Sequence, residues 1–267
     1  MNKYKIVFID IDGTLYNSES KVTEKTKEVI NKVVDMGVLV VLTSGRCSYN
    51  VREIAKLVGT SPYIICSNGA EVYDLENNKT VFKSVLDKRI INEVYDYCEK
   101  SDLRIFLNGE FIRYSNAYSN HYINKIEDNN IIDEDFTQVV IEGINYNRML
   151  ALKGLIQDKY KTIVNVNSSQ ALKNNTPHKG DYYYRDFINE GVSKSCGITE
   201  LLDYLNISPS EAISIGDGTN DISMFMTTDL SIAMGNSSDM VAMQANQVTL
   251  SNDADGVAIA LSEIFNI

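Results

Sequence analysis

The chain has 267 residues, 44% hydrophobic and 23% charged, with a formal net charge of −11. That length and balance suit a globular protein of one large domain or two small ones. The acidic balance argues against nucleic acid or an anionic membrane as partner, and an anionic substrate would need a cation supplied locally, by a metal ion or by a placed Lys or Arg.

The first predicted element is a buried strand over Lys5 to Ile9, an apolar run that ends in Asp10-Ile11-Asp12-Gly13-Thr14. Thr23 to Met36 reads as a helix, capped by Thr23, with Val29, Ile30, Val33 and Val34 as its apolar face and Gly37 as its stop. Val38 to Leu42 is a second buried strand, running into Thr43-Ser44-Gly45-Arg46; Tyr49 to Val58 is a second helix, closed by Gly59. Tyr63 to Cys66 is a third strand, followed by the turn Ser67-Asn68-Gly69-Ala70. Strand and helix alternating at this spacing predict a doubly wound parallel sheet.

From about Phe82 to Phe187 the pattern is mixed. Asn108-Gly109 between two apolar stretches, 104–107 and 111–114, predicts a hairpin. Thr162 to Asn167 and Tyr182 to Phe187 read as strands, and the acidic segment Glu127 to Asp135 as an exposed loop. Lys194 to Leu205 is a predicted helix and Ala212 to Ile215 a short buried strand that enters Gly216-Asp217-Gly218-Thr219-Asn220-Asp221. An apolar helix with Met224 and Phe225, a strand over Leu230 to Met234 and a closing helix over Val257 to Ile264 complete the chain. The predicted fold is therefore an α/β core of residues 1–82 and 188–267, a doubly wound parallel sheet, with an α+β domain of residues 83–187 inserted into it.

The four cysteines, Cys47, Cys66, Cys98 and Cys196, form no close metal-type pair and read as reduced thiols. The N-terminal apolar run is too short for a signal peptide and ends in acidic residues, and no stretch has the apolar length of a membrane span. A soluble, cytoplasmic protein is expected.

The chemistry gathers at strand ends. Asp10 is able to attack an electrophile as a carboxylate nucleophile, and Asp12 is near enough to exchange a proton with a leaving group and then with water. Taken alone, the pair is equally readable as an acidic turn. Ser44 and the amides of its turn suit phosphate oxygens, although turns use Ser and Gly for geometry alone. Asp217 and Asp221 suit Mg²⁺, or else a glycine turn with a helix cap. In a parallel sheet all three strand ends lie along one edge, so nucleophile, anion cradle and metal ligands converge, which describes phosphoryl transfer.

Asp10-Ile11-Asp12-Gly13-Thr14-Leu15, Ser44-Gly45-Arg46, Lys194 and Gly216-Asp217-Gly218-Thr219-Asn220-Asp221 resemble the four ordered motifs of the haloacid dehalogenase (HAD) superfamily. With Ser67-Asn68-Gly69-Ala70, Gly191-Val192-Ser193-Lys194, Ala233-Met234-Gly235-Asn236 and Asp255-Gly256-Val257-Ala258, the chain resembles its Cof-type sugar-phosphate phosphatases, which carry a C2B cap. The resemblance implies a Rossmann-like core whose inserted cap selects the substrate. It implies that Asp10 is the nucleophile, forming an aspartyl-phosphate, and that Asp12 is the general acid and base. Ile11, Ser44 with the Gly45 amide, Lys194 and Asn220 would bind the phosphoryl group. Asp10, the main-chain carbonyl of Asp12, Asp217 and Asp221 would hold Mg²⁺. Departures from the family pattern are Ser195 where Gly is frequent, Asp186 in place of Glu, and Thr227-Thr228-Asp229 in place of Ala-Gly. The implied activity is Mg²⁺-dependent hydrolysis of small phosphorylated metabolites by a monomer or weak homodimer. A phosphomutase on the same core, or a non-catalytic regulator that binds a phosphorylated ligand, remain as alternatives.

Overall fold

The structure, a computed structural model, describes residues 3–126, 134–159, 163–170 and 183–267. The chain opens with β1 (Ile6–Ile9), α1 (Glu24–Asp35), β2 (Leu39–Thr43), α2 (Ser48–Val58), β3 (Tyr63–Cys66), β4 (Glu71–Asp74) and β5 (Lys79–Lys83). A middle stretch supplies α3 (Lys88–Ser101), β6 (Arg104–Asn108), β7 (Arg113–Ser115), β8 (Ile123–Lys125), β9 (Gln138–Gly143), α4 (Tyr146–Lys159), β10 (Ile163–Gln170) and β11 (Tyr183–Asn189). The chain returns with α5 (Lys194–Leu205), β12 (Ala212–Gly216), α6 (Ile222–Phe225), β13 (Leu230–Ala233), α7 (Asp239–Ala242), β14 (Gln247–Val248) and α8 (Gly256–Phe265).

All four residues of β1 are buried, as expected of a strand covered on both faces of a parallel sheet. It pairs in parallel with β2 on one side (Ile6 opposite Leu39) and with β12 on the other (Ile6 opposite Ala212). The eight-stranded sheet runs β14-β13-β12-β1-β2-β3-β4-β5. The chain therefore steps outward from β1 to β2 and β3, then restarts at β12 on the opposite flank of β1. Strand order reverses at that point, and open α/β sheets bind ligands there, beyond the carboxyl ends of the strands.

Helix α1 begins where its sequence allows. Thr23 caps it, its hydroxyl accepting the Thr26 amide at 3.1 Å, and Val29, Ile30 and Val33 are buried. Gly37 follows at a φ of +81°. On one face of the sheet Ile6 and Phe8 pack with Val41, Ile65, Met224 and Phe225 and with Ile198, Leu201 and Leu202 of α5. All four cysteines are free.

The chain divides into two compact units: Met1–Arg46, Asn50–Phe82 and Ser193–Ile267 form the first, Cys47–Tyr49 and Lys83–Val192 the second. The second holds a six-stranded sheet ordered β10-β11-β9-β6-β7-β8, antiparallel except for the β7/β8 pair. Its core is its own: Ile90, Ile91, Val94 and Cys98 of α3 pack with Ile105, Leu107, Val139 and Ile141 of the sheet and Met149, Leu152 and Ile156 of α4.

Some elements depart from expectation. Asn108-Gly109 does not form a two-residue turn. Asn108 is a strand residue paired with Arg113, the connection is 109–112, and the left-handed backbone falls at Phe111 with φ 55°. The reason is side-chain satisfaction: buried Asn108 donates to Gln138 Oε1 at 2.6 Å and accepts from Arg113 Nε at 2.8 Å, which holds it in the sheet. Strands β4 and β5 are not among the predicted elements; Glu71 and Asp74 bracket β4, and both side chains are buried. The expected strands from Thr162 and Tyr182 start outside the described residues and continue as β10 and β11; most of the acidic segment, 127–133, also lies outside them.

Phe8 is fully buried in the central strand. Phe8→Ala is expected to cost about 3–5 kcal/mol, measured as a lower denaturant midpoint for the parallel-sheet unit.

Candidate active site

The main-chain ladder carries past the end of β1: the Asp10 amide donates to Ile215 O of β12 at 3.0 Å, which sets Asp10 at the reversal point. Asp10 is buried, and Lys194 Nζ donates to its Oδ1 at 2.5 Å and to Asp221 Oδ1 at 2.5 Å. Lys194 is itself fully buried and opens α5. A helix N-terminus disfavours a cation, so the two carboxylates hold the ammonium there. Burial alone would lower the Lys194 pKa; the charges of Asp10 and Asp221 outweigh it and raise it.

Asp221 has no idle oxygen. Its Oδ2 accepts the amides of Asp217 at 2.9 Å and Gly218 at 2.8 Å, fastening the turn after β12 from inside. Asp217 accepts the Thr14 hydroxyl on Oδ1 at 2.9 Å, and Asn236 Nδ2 approaches its Oδ2 at 3.4 Å. Gly13, at φ +83°, makes room for it: a Cβ there would lie 2.3 Å from Asp217 Oδ2.

One oxygen each from Asp10, Asp217 and Asp221 lie within 4.8 Å of one another. Three carboxylates surround one ammonium, and the imbalance shows in the acidities of Asp10 and Asp217. Burial, then the Asp221 charge, push the Asp10 carboxyl well above its ordinary range against the pull of Lys194. Burial likewise pushes Asp217 up to about 6, although the Thr14 hydrogen bond opposes it. An all-oxygen set with surplus negative charge fits a hard divalent cation.

Asp12 stands apart from this cluster. Its side chain is exposed and held by Arg46 in a fork, Nε to Oδ2 at 2.8 Å and Nη2 to Oδ1 at 2.6 Å, while the guanidinium lies 5.2 Å from the Tyr16 ring centre. The Ile11 side chain is buried and its carbonyl accepts the Tyr16 amide at 2.8 Å, closing the turn that carries Asp12.

Ser44 follows β2, its amide donating to Ile65 O at 3.0 Å and its hydroxyl accepting the Arg46 amide at 3.2 Å. Gly45 faces the Asn68 amide, and Asn68 Oδ1 accepts from Asn220 Nδ2 at 3.2 Å. Hydrogen bonds thus join Asp10, Lys194, Asp221 and Asp217 directly, and join the Ser44–Gly45 turn to Asn220 through Asn68. Four residues to which sequence reasoning gave no side-chain role take part: Thr14, Arg46, Asn68 and Asn236. All lie inside the motif segments, so their signal was a polar side chain in a turn already marked.

The chain matches the haloacid dehalogenase-like hydrolases over residues 7–261. It is 27% identical over 264 residues to 5-amino-6-(5-phospho-D-ribitylamino)uracil phosphatase YcsE of Bacillus subtilis, covering 96% of this chain and 94% of that one. Its fold is similar to that of a haloacid dehalogenase-like hydrolase from Bacteroides thetaiotaomicron, with TM-score 0.85, 24% identity, and coverage of 98% and 100% of the two chains. It is also similar to that of the HAD subclass IIB sugar phosphatase BT4131, with TM-score 0.76, 21% identity, and coverage of 98% and 100%. The chain belongs to the haloacid dehalogenase-like hydrolase family. Within that family it is an enzyme of the phosphatase class. No helix among the described residues is long and apolar enough to cross a membrane.

The raised Asp217 pKa, about 6 against an ordinary 3.8, means that the metal-free native state keeps a proton that the unfolded chain has released. Native stability should therefore fall as pH rises from about 4 to about 6 and stay lower above it. Asp217→Asn in the presence of chelator is expected to flatten that fall and to raise the melting temperature at pH 8. An unchanged slope with a lower melting temperature would contradict the imbalance.

Proposed function

We propose that the protein is a Mg²⁺-dependent phosphatase of small phosphorylated metabolites, sugar or polyol phosphates, that works through an aspartyl-phosphate on Asp10. The observation that supports this best is the buried Asp10–Lys194–Asp221 chain beside Asp217. It offers a fixed carboxylate with one oxygen outside the lysine bond, at the reversal point of the sheet. A phosphorylated ribityl compound in the name of the Bacillus subtilis relative, and the sugar phosphatase among the fold neighbours, support the substrate class.

In this reading Asp10 Oδ2 forms a bond to phosphorus as the ester P–O bond breaks, and the departing oxygen takes a proton from Asp12. Water then attacks the phosphorus of the aspartyl-phosphate and loses a proton to Asp12. Inorganic phosphate leaves and the Asp10 carboxylate is restored. Lys194 offsets the charge of Asp10 and of the phosphoryl group. Ser44, the amides of Ile11 and Gly45, and Asn220 hold the phosphoryl oxygens. Asp10, Asp217 and the main-chain carbonyl of Asp12 would hold the Mg²⁺, with Asp221 supporting it. When bound, the ion supplies charge neutralisation between carboxylates and phosphate. Free thiols in an acidic chain fit a cytoplasmic enzyme.

Asp10→Asn is expected to lower turnover by at least about a thousandfold with an unchanged circular dichroism spectrum; near-normal activity would remove Asp10 as nucleophile. Phosphate release from a panel of sugar and polyol phosphates should cease in EDTA and return with excess Mg²⁺. Full activity in chelator would reject the metal, and failure on every ester with Mg²⁺ present would reject the hydrolase reading.

A further inference from the structure

Asn68 lies in the turn after β3, where Ser67, Asn68 and Gly69 all have left-handed backbones, with φ of 51°, 55° and 92°. Two of the three are not glycine, and such a run persists only where surrounding contacts over-determine it. Those contacts lead to the phosphate-binding elements. The Ser67 amide donates to Arg46 O at 2.9 Å and the Asn68 amide to Ser44 O at 3.0 Å, so the turn grips the main chain on either side of Gly45. On its other side it abuts α5: a Cβ on Gly69 would lie 1.9 Å from Ser193 O and 3.0 Å from Lys194 Cα.

The Asn68 side chain completes the connection. It is 2% exposed; its Oδ1 accepts from Asn220 Nδ2 at 3.2 Å, and among the described residues its Nδ2 has no partner. Its amide occupies the space a side chain at position 45 would need, with Nδ2 2.9 Å and Oδ1 3.0 Å from the site of a Cβ on Gly45. An orphaned buried N–H costs stability, so this amide is not explained by packing alone. Accepting through Oδ1 also fixes which end of the Asn220 amide is the donor, and one Asn220 N–H is left over.

We propose that Asn68 is a positioning residue for phosphate recognition. Its oxygen orients Asn220 so that the remaining N–H is presented to the phosphoryl group, and its amide sets the approach of the Gly45 turn to Asn220. Asparagine suits this place because it tolerates left-handed backbone and carries an acceptor. The inference rests on Ser44, Gly45 and Asn220 being the phosphate-binding group.

The test is a double-mutant cycle of Asn68→Gly and Asn220→Ala in the full chain with Mg²⁺. Inhibition by inorganic phosphate and the hydrolysis of p-nitrophenyl phosphate are followed beside the melting temperature. Glycine accepts a φ of 55°, so Asn68→Gly is expected to melt within a few degrees of the parent. Its phosphate inhibition constant should rise about fivefold to tenfold, and KM should rise with it. Asn220→Ala should raise both by at least as much, and adding Asn68→Gly to it should raise them by much less than Asn68→Gly does alone. An unchanged inhibition constant in folded Asn68→Gly, with a raised one in Asn220→Ala, overturns the positioning role alone. Fully additive losses overturn it as well. An unchanged constant in Asn220→Ala overturns the phosphate-binding assignment beneath it.

Discussion

The fully buried Lys194 ammonium between Asp10 and Asp221 is the interaction on which the rest of this site depends. A cation at a helix N-terminus, out of water, is tolerable only between anions; removing one partner of such a buried pair costs about 3–5 kcal/mol. Asp221 is anchored in turn by two amides of the loop after β12, and that loop carries Asp217. A single cation thus ties the end of β1, the start of α5 and the turn after β12 into one unit. Three carboxylates still outnumber it, and that surplus would suit a further cation.

The same arrangement separates the two aspartates of the first motif. Asp10 faces inward to Lys194, whereas Asp12 is solvent-exposed and gripped by Arg46. An extended strand would put residues two apart on one face; these two differ because β1 ends at Ile9 and the chain turns there, with the Leu15 amide donating to Asp10 O, the Tyr16 amide to Ile11 O and Gly13 at φ +83°. One carboxylate is thereby kept buried and fixed by the lysine. The other is exposed, with both oxygens on the Arg46 guanidinium.

Much of this was legible in the sequence because it is local. The Ile6–Ile9 run announces a strand covered on both faces, Thr23 announces a helix start, and the polar residues that follow each strand lie at the edge where a parallel sheet collects its chemistry. What escaped depends on distant partners. Asn108 looks like a turn residue until Gln138 and Arg113 satisfy its amide inside a sheet. Arg46 looks like a turn residue with a surface charge until Asp12 lies under it, and the strand β4 is masked by two acids whose burial no neighbouring residue foretells. Asn68 sits in a marked motif, but its purpose lies in Asn220, 152 positions along the chain.

The long insertion has a consequence for how the chain is made. Asp10 and Lys194 are separated by 184 positions, and β1 has one of its two parallel neighbours in β12, beyond the whole inserted stretch. On the ribosome the early segment through β5 has no partner for one edge of β1 and no cation for Asp10. The inserted unit has its own core between α3, α4 and its sheet, and domains generally fold as units. The parallel sheet must wait, and its completion is a long-range closure that contact order makes slow. Until β12 and Lys194 emerge, β1 lacks its second parallel neighbour and Asp10 the cation that partners it in the finished pocket.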